Sequence, residues 1–319
     1  MRDIDLSSEP LPGGLQDALR GAQRPLLLTG AGMSAESGIA TFRGDEDSLW
    51  PRFDPMRLAT PEAFDADPPL VWAWYRWRMA KIALARPHAG HRALAALAQL
   101  KPGLVLATQN VDDLHERAGS TGVLHLHGRI AATRCRDCDA DQPIAIDPAW
   151  ADSPVLRAAP PSCSVCGGPL RPGVVWFGES LPADEFTAAG RAARAADLVL
   201  VVGTSGLVHP AAGLPDIAPA ICPRYEINPQ PSALSARMDG VWRATAAQAL
   251  PQLLVALEVS QSRDPGRRAP CISARVKTRH TPGTEGYADR LSLSHGPAPL
   301  SADASRPLIA AVGQDPPYT

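Results

Sequence analysis

Residues 21–44 read "GAQRPLLLTGAGMSAESGIATFRG", and this stretch decides the fold. Its first nine residues, ending in "PLLLT" at Thr29, read as a short buried strand. Glycines follow at once: Gly30, Gly32 and Ala35 spell GxGxxA. After a strand, that spacing lets backbone approach a pyrophosphate at a helix N-terminus. A bare turn would use the same glycines. An ordinary dinucleotide-binding dehydrogenase adds a second strand and an acidic residue about 20 positions on. Here Asp45, Glu46 and Asp47 come too early, with no strand before them. The segment 38–50, "GIATFRGDEDSLW", reads instead as a loop whose Phe42–Arg43 pair covers a ligand.

Working outward, further short apolar runs appear at 104–108 "LVLAT", 123–126 "VLHL", 174–177 "VVWF", 198–203 "LVLVVG" and 224–227 "RYEI". Alanine-rich segments with helical spacing lie at 91–100, 113–118, 184–196 and 246–257. Short apolar strands alternating with helices predict an α/β fold, a Rossmann-like doubly wound parallel sheet. That domain is expected from residues 15–45, 100–128 and 171–258. Two inserts interrupt it, a helical module at 46–99 and a cysteine-bearing module at 129–170, together forming a smaller domain. Residues 260–319 turn rich in Pro, Arg, Ser and Gly and lose apolar periodicity, so a tail without fixed structure is expected.

Composition narrows the class. The 319 residues are 45% apolar and 20% charged, ordinary for a globular protein, and the net charge is −2. No global field draws such a chain to nucleic acid or membrane. No run approaches the roughly 18–20 apolar residues of a membrane helix. The N-terminus "MRDIDLSSEPLPGG" lacks a signal-peptide core. Four of the six cysteines fall in two CxxC pairs, which reads as metal in a reducing compartment and hence a cytoplasmic protein.

Those pairs, Cys135/Cys138 and Cys163/Cys166, have zinc-ligand spacing. Four thiolates fill a tetrahedral ion, so the zinc is expected to be structural and unable to activate water. Cys222 and Cys271 are left over, a buried thiol and a tail thiol. The flanks of the cysteines mix acid with base and lack aromatics for stacking, which argues against nucleic-acid binding.

Four polar stretches follow strands. "TQNVDDLHERAG" (108–119) puts Gln109, Asn110 and Asp112 at a strand's C-terminal end, where open α/β sheets bind ligands. Asn110 or Asp112 would alternatively only cap the next helix. In "LHLHGRI" (124–130), His127 ends a strand beside that loop and is the candidate general base. His125 points to the opposite face by strand alternation. "VVGTSGLVHPAAGLP" (201–215) and "YEINPQP" (225–231) place Gly203, Thr204, Ser205 and Asn228 at the same sheet edge, suited to ribose and phosphate. In the helical insert, "VWAWYRWRMAKIALA" (71–85) carries three of the seven tryptophans, and Tyr75 and Arg78 share a helix face three residues apart. That pair reads either as a solvated arginine beside a packing tyrosine or as an anion pocket.

Taken together, "GAGMSAESGIATFR", "TQNVDDLH", "HLHG", the two CxxC pairs, "VVWFGE", "GTSGLVHPA" and "EINP" resemble the sirtuins, NAD-dependent protein-lysine deacylases. The motifs run in family order over about residues 20–257, and the chain looks most like class III members. The resemblance implies NAD between a Rossmann-like domain and the smaller domain, with a structural Zn²⁺. It implies that His127 acts on the nicotinamide-ribose hydroxyls and that the acyl-lysine oxygen attacks the ribose carbon as nicotinamide leaves. The products would be lysine, nicotinamide and O-acyl-ADP-ribose. Asn110, Asp112 and Gln109 would hold the nicotinamide and ribose side. Gly30, Ala31, Gly32, Ser34, Ala35, Glu36, Phe42, Arg43, Gly203, Thr204, Ser205, Asn228 and Ala246 would line the dinucleotide. An acylated peptide would lie as an added strand between Val175, Trp176, Phe177, Gly178 and the "SGLVH" segment. Class III members have a Tyr-x-x-Arg pair over the acyl end, matched here by Tyr75 and Arg78. The resemblance therefore implies removal of succinyl and malonyl as well as acetyl groups, by an enzyme expected to be monomeric.

One departure stands out. "LPDIAPAICPRYEINP" has Pro219 and Pro223 where an uninterrupted helix and turn are expected, so the edge of the site near Asn228 could be displaced. Other readings of the same residues are an NAD(P) oxidoreductase, a non-catalytic zinc-ribbon binding module, a mono-ADP-ribosyltransferase and a plain deacetylase.

Overall fold

The computed structural model describes residues 10–39 and 55–262. The expectations for Phe42, Arg43 and the tail lie outside the described residues. Six strands form one parallel sheet: β1 (Pro25–Thr29), β2 (Val105–Thr108), β3 (Leu124–His125), β6 (Leu198–Val202), β7 (Arg224–Ile227) and β8 (Gly240–Trp242). Their spatial order is β3-β2-β1-β6-β7-β8, the doubly wound order with its reversal between β1 and β6. Two more strands, β4 (Gly128–Cys135) and β5 (Leu170–Val174), pair only with each other, antiparallel.

The nine α-helices of the described residues are α1 (Gly13–Gly21), α2 (Pro55–Leu58), α3 (Pro61–Ala66), α4 (Pro68–Leu84), α5 (Ala89–Leu100), α6 (Leu114–Arg117), α7 (Ala183–Ala195), α8 (Leu214–Ile217) and α9 (Ala246–Ser262). Strand alternation divides the core into two layers. Leu27, Leu198, Leu200 and Val202 join α1, α5 and α9 on one face. Leu26, Leu28, Val199 and Val201 join α7 and α8 on the other. Both faces are covered, which is why the strands read as unbroken apolar runs. No helix among the described residues is long and apolar enough to cross a membrane.

A third apolar cluster lies apart from the sheet. It joins Phe64, Trp72, Trp74, Tyr75 and Trp77 of the helical insert to Ile130, Val174 and Trp176. Helix α4 starts on Asp67, whose carboxylate accepts from Leu70 N–H at 3.2 Å, with prolines in its first turn. It is buried nearly all round rather than amphipathic. Its C-terminal carbonyls at Ile82 and Ala85 accept hydrogen bonds from the Arg117 guanidinium, a cap supplied from α6.

Three expectations change. The segment 174–177 is not a strand of the parallel sheet: β5 ends at Val174, and residues 175–177 turn away. The glycine motif opens onto two single-turn 3₁₀ segments, Ala31–Met33 and Ala35–Ser37, not onto an α-helix. The prolines near Asn228 displace nothing. Arg224 gathers the carbonyls of Pro215, Ala218, Pro219 and Cys222, so the turn closes on one guanidinium. Strand β7 then pairs normally on both sides.

Candidate active site

The loops after β1, β2, β6 and β7 converge at the C-terminal edge of the sheet, where its order reverses. The glycines there serve loop against loop. Gly30 N–H donates to Val202 O at 3.0 Å and Gly32 N–H to Gly203 O at 2.7 Å. A Cβ on Gly32 would sit 2.8 Å from the Gly203 Cα, and Gly203 itself has φ +61°. Only glycine allows this backbone-to-backbone contact.

On that platform sits a buried polar set. Asn110 Nδ2 donates to Ser34 Oγ at 3.1 Å, and Asn110 N–H donates to Thr108 Oγ1 at 3.0 Å. Asp112 Oδ1 accepts from Leu114 N–H at 3.1 Å, so it does cap α6. That does not exhaust it: burial pushes its carboxyl above the usual range, and it has no ion pair among the described residues. Gln109 Nε2 donates to Thr204 Oγ1 at 3.1 Å and ties the loops after β2 and β6 together. Asn228 Nδ2 donates to Thr204 O at 2.9 Å, bracing the same loop from β7.

The two histidines of "HLHG" separate cleanly. His125 is fixed at both nitrogens, Nε2 against Glu116 Oε1 at 2.6 Å and Nδ1 against Asn110 O at 3.3 Å. His127 is half-buried, and its Nδ1 lies 3.0 Å from Gln109 O. A carbonyl only accepts, so Nδ1 carries the proton and Nε2 keeps the lone pair. Burial lowers the His127 pKa below the ordinary imidazole value, against the opposing pull of that hydrogen bond. Neutral imidazole with a free lone pair is what a general base requires.

Other expected site residues are placed differently. Glu36 is exposed, and its two oxygens accept from Thr245 Oγ1 and Ala247 N–H, both at 2.9 Å, at the start of α9. Ala246 lies in the core, its carbonyl against Gly90. Ala31, Ala35 and Ser205 are exposed at the loops. Of the peptide-side residues, Val175 and Phe177 are half-buried and Gly178 is exposed with φ +87°. Trp176 is 1% exposed, so its side chain lies beneath that surface.

Tyr75 and Arg78 are brought to the far side of this loop. Tyr75 is buried, and burial pushes its phenol up to about 12, with the Arg78 charge the strongest pull back. The Arg78 guanidinium lies 4.8 Å from the Trp74 ring centroid; Arg76 faces elsewhere, 4.6 Å over Trp150.

The four cysteines come together. Their sulfurs all lie within 4.8 Å of one another, Cys135 to Cys166 at 3.4 Å and Cys138 to Cys163 at 3.7 Å. Zinc–sulfur bonds of ~2.3 Å in a tetrahedron put sulfurs about 3.8 Å apart, so the set fits zinc. Backbone N–H groups of Asp137, Val165 and Gly168 donate to the sulfurs at 3.3, 3.3 and 3.4 Å, as thiolates need.

Two features escaped the sequence reading. Arg171, buried, forms a two-pronged pair with Glu179, one prong at 2.8 Å, and donates to Val174 O. Charges flanking "VVWF" eight residues apart were the available signal. The other is a row of histidines behind Ser34: His91 Nε2 lies 3.5 Å from Ser34 Oγ, and His115 Nε2 lies 3.1 Å from Thr29 Oγ1. Burial pushes His91 down to about 2 and His115 to about 4, so both are neutral.

The loops after β1, β2 and β6 and both inserts fall within residues 30–210, which match the model of the Sir2 family. "NAD-dependent protein deacylase 2" of Corynebacterium efficiens is 49% identical over 243 residues, 75% of this chain and 95% of the relative. A solved structure of a Sir2 homologue with NAD shares 43% identity at a TM-score of 0.71, covering 78% of this chain and 95% of that one. Another, a Sir2 homologue variant with 2'-O-acetyl ADP ribose, shares 41% identity at 0.72, covering 80% and 100%. The family model matches more than half of the chain and the Corynebacterium efficiens relative covers three quarters of it, and the chain belongs to the Sir2 family, the sirtuins.

Proposed function

We propose that this chain is an NAD-dependent protein-lysine deacylase that removes succinyl and malonyl groups, and accepts acetyl groups as well. Family membership and the relatives support NAD-dependent deacylation. The acyl preference rests on one observation. A single loop links the candidate base to the Tyr75–Arg78 pair: Val175 N–H donates to His127 O at 2.9 Å, and the next residue, Trp176, donates through Nε1 to Tyr75 Oη at 2.9 Å. Base and pair therefore face one substrate from two sides.

NAD supplies the ribose carbon that becomes electrophilic as nicotinamide leaves. His127 takes a proton from a ribose hydroxyl through Nε2, while Gln109 O holds the ring by Nδ1. Asn110 and Asp112 hold the nicotinamide side; the buried Asp112 carboxyl forms no ion pair among the described residues, and a ligand carrying positive charge would favour its ionised form. Ser37 Oγ, buried and without a partner among the described residues, lies in the same loop. The backbone of Gly30–Ser34, Gly203–Ser205 and Asn228 borders the dinucleotide. Arg78 grips the acyl carboxylate with two parallel bonds and the Tyr75 hydroxyl donates a third. The peptide lies as a strand between residues 175–178 and 205–208, where Leu207 and Val208 present exposed apolar surface. Cys135, Cys138, Cys163 and Cys166 hold zinc that orders the 129–170 insert. The separate apolar cluster around Trp72 and Trp176 supports reading the two inserts as one smaller domain beside the nucleotide-binding one.

A panel of succinyl-, malonyl- and acetyl-lysine peptides with NAD tests this, with products read by mass spectrometry. O-acyl-ADP-ribose from all three, fastest for the acidic acyl groups, is expected. Acetyl turnover alone would reduce the reading to a plain deacetylase, and ADP-ribosylated protein would replace it with a transferase.

A further inference from the structure

Trp176 sits under the peptide-facing loop with its indole packed against Arg171 and Phe64. The Arg171 guanidinium lies 3.4 Å from the ring centroid, and the Phe64 ring centroid lies 5.3 Å away at a tilt of 37°. The backbone around it is equally fixed. Glu179 Oε2 accepts from Trp176 N–H at 2.8 Å and from Arg171 Nη2 at 2.8 Å, while Arg171 also holds Val174 O at 3.0 Å. The pair is charge-assisted and buried on the arginine side, so the loop has one seating. Burial pushes the Glu179 carboxyl up, but its bonds to Arg171 and Trp176 win and it stays ionised below the usual range.

This seating aims one N–H. The indole Nε1 is a donor only, and it reaches the Tyr75 oxygen at 2.9 Å. A phenol has one proton to give, and here its oxygen already accepts. Its own O–H must therefore point away from Trp176. We infer that Trp176 is a specificity-determining positioning residue: its indole N–H commits the Tyr75 hydroxyl to donating, which selects acyl groups ending in a carboxylate. The phenol remains protonated at any working pH, since burial lifts it to about 12. Arg171 and Glu179 act one step further out, by holding the indole. The inference rests on the proposed acidic-acyl pocket.

The test is Trp176→Phe, which keeps an aromatic ring and removes the donor. The ratio of kcat/KM for succinyl over acetyl forms of one peptide should fall roughly 3–10-fold, the worth of one neutral hydrogen bond. In a Tyr75→Phe background the same substitution should leave the ratio unchanged, because no hydroxyl remains to orient. Trp176 is fully buried, so a Phe variant that fails to fold is replaced by benzothienylalanine at position 176, which keeps the ring's volume and stacking and lacks the N–H. Equal losses on both substrates, or additive effects in the double variant, would overturn the inference while leaving the pocket intact. A wild-type enzyme indifferent to acyl charge would overturn the pocket reading, and this one with it.

Discussion

Replacing Arg78 with methionine removes a charge and keeps an apolar stem of similar length. Two of the interactions it removes matter for the comparison between substrates. One is the cation–π contact with Trp74, at 4.8 Å to the ring centroid. At a partly exposed site that contact contributes about 0.5–1 kcal/mol to folding. It acts on both substrates equally and cancels in their ratio. The other is the proposed grip on the acyl carboxylate, worth about 1.5–3 kcal/mol as a charge-assisted bond, or roughly 10–150-fold. An acetyl group offers no carboxylate and forgoes nothing. The expected outcome is therefore a loss of that size in kcat/KM for a succinyl peptide, with the acetyl form of the same peptide within about threefold of wild type. Arg76→Met is the control, since Arg76 stacks on Trp150 instead. The assay is nicotinamide release at saturating NAD, with melting temperature measured on each variant. Equal losses on both peptides would refute the reasoning and make the arginine structural.

Other outcomes follow from the same geometry. His127→Ala should lower deacylation about 10²–10⁴-fold with the fold retained, and near wild-type turnover would remove its assignment as base. Because burial depresses the His127 pKa, the acid limb of wild-type kcat/KM should have its midpoint below the ordinary value of about 6.5; a midpoint above that would contradict its environment. Cys138→Ser or Cys163→Ser should lose the bound zinc, measured by elemental analysis, and unfold at lower temperature; a metal-free variant with unchanged melting would show that the ion organises nothing. His91 and His115 are neutral when folded, at about 2 and about 4, and gain protons near 6.5 when unfolded. Their contribution to stability is full above pH ~6.5 and is lost as pH falls, down to about 4 for His115 and on toward about 2 for His91. Melting temperature should drop across that window and drop less in His115→Gln; identical pH slopes would refute the linkage.

The parallel sheet was legible because a strand covered on both faces is a continuous apolar run, as in β1, β2 and β6, while the 123–126 and 224–227 strands are interrupted by His125 and by Arg224 and Glu226. The sixth, Gly240–Trp242, has three residues and no run to recognise. The zinc set was equally plain, since spacing alone brings each pair of cysteines to one turn. Residues 174–177 misled because they are as apolar as a strand, yet what they bury against is the tryptophan helix and not the sheet. The candidate site loops announced themselves as polar clusters at strand ends, but chemistry alone did not say which member did what. That took contacts across the chain. His125 and His127 are two positions apart, and it is Glu116, packed from α6, together with Asn110 O that occupies both nitrogens of the first. Glu36 follows the glycine motif and caps α9 from 209 residues away. Trp176 and Tyr75 are 101 residues apart, and nothing in either segment specifies that an indole N–H should meet a phenol oxygen. Local pattern fixes secondary structure and metal spacing because period and spacing are short-range properties. Hydrogen-bond direction and burial depend on which distant segments pack together, and those were decided by the tertiary structure.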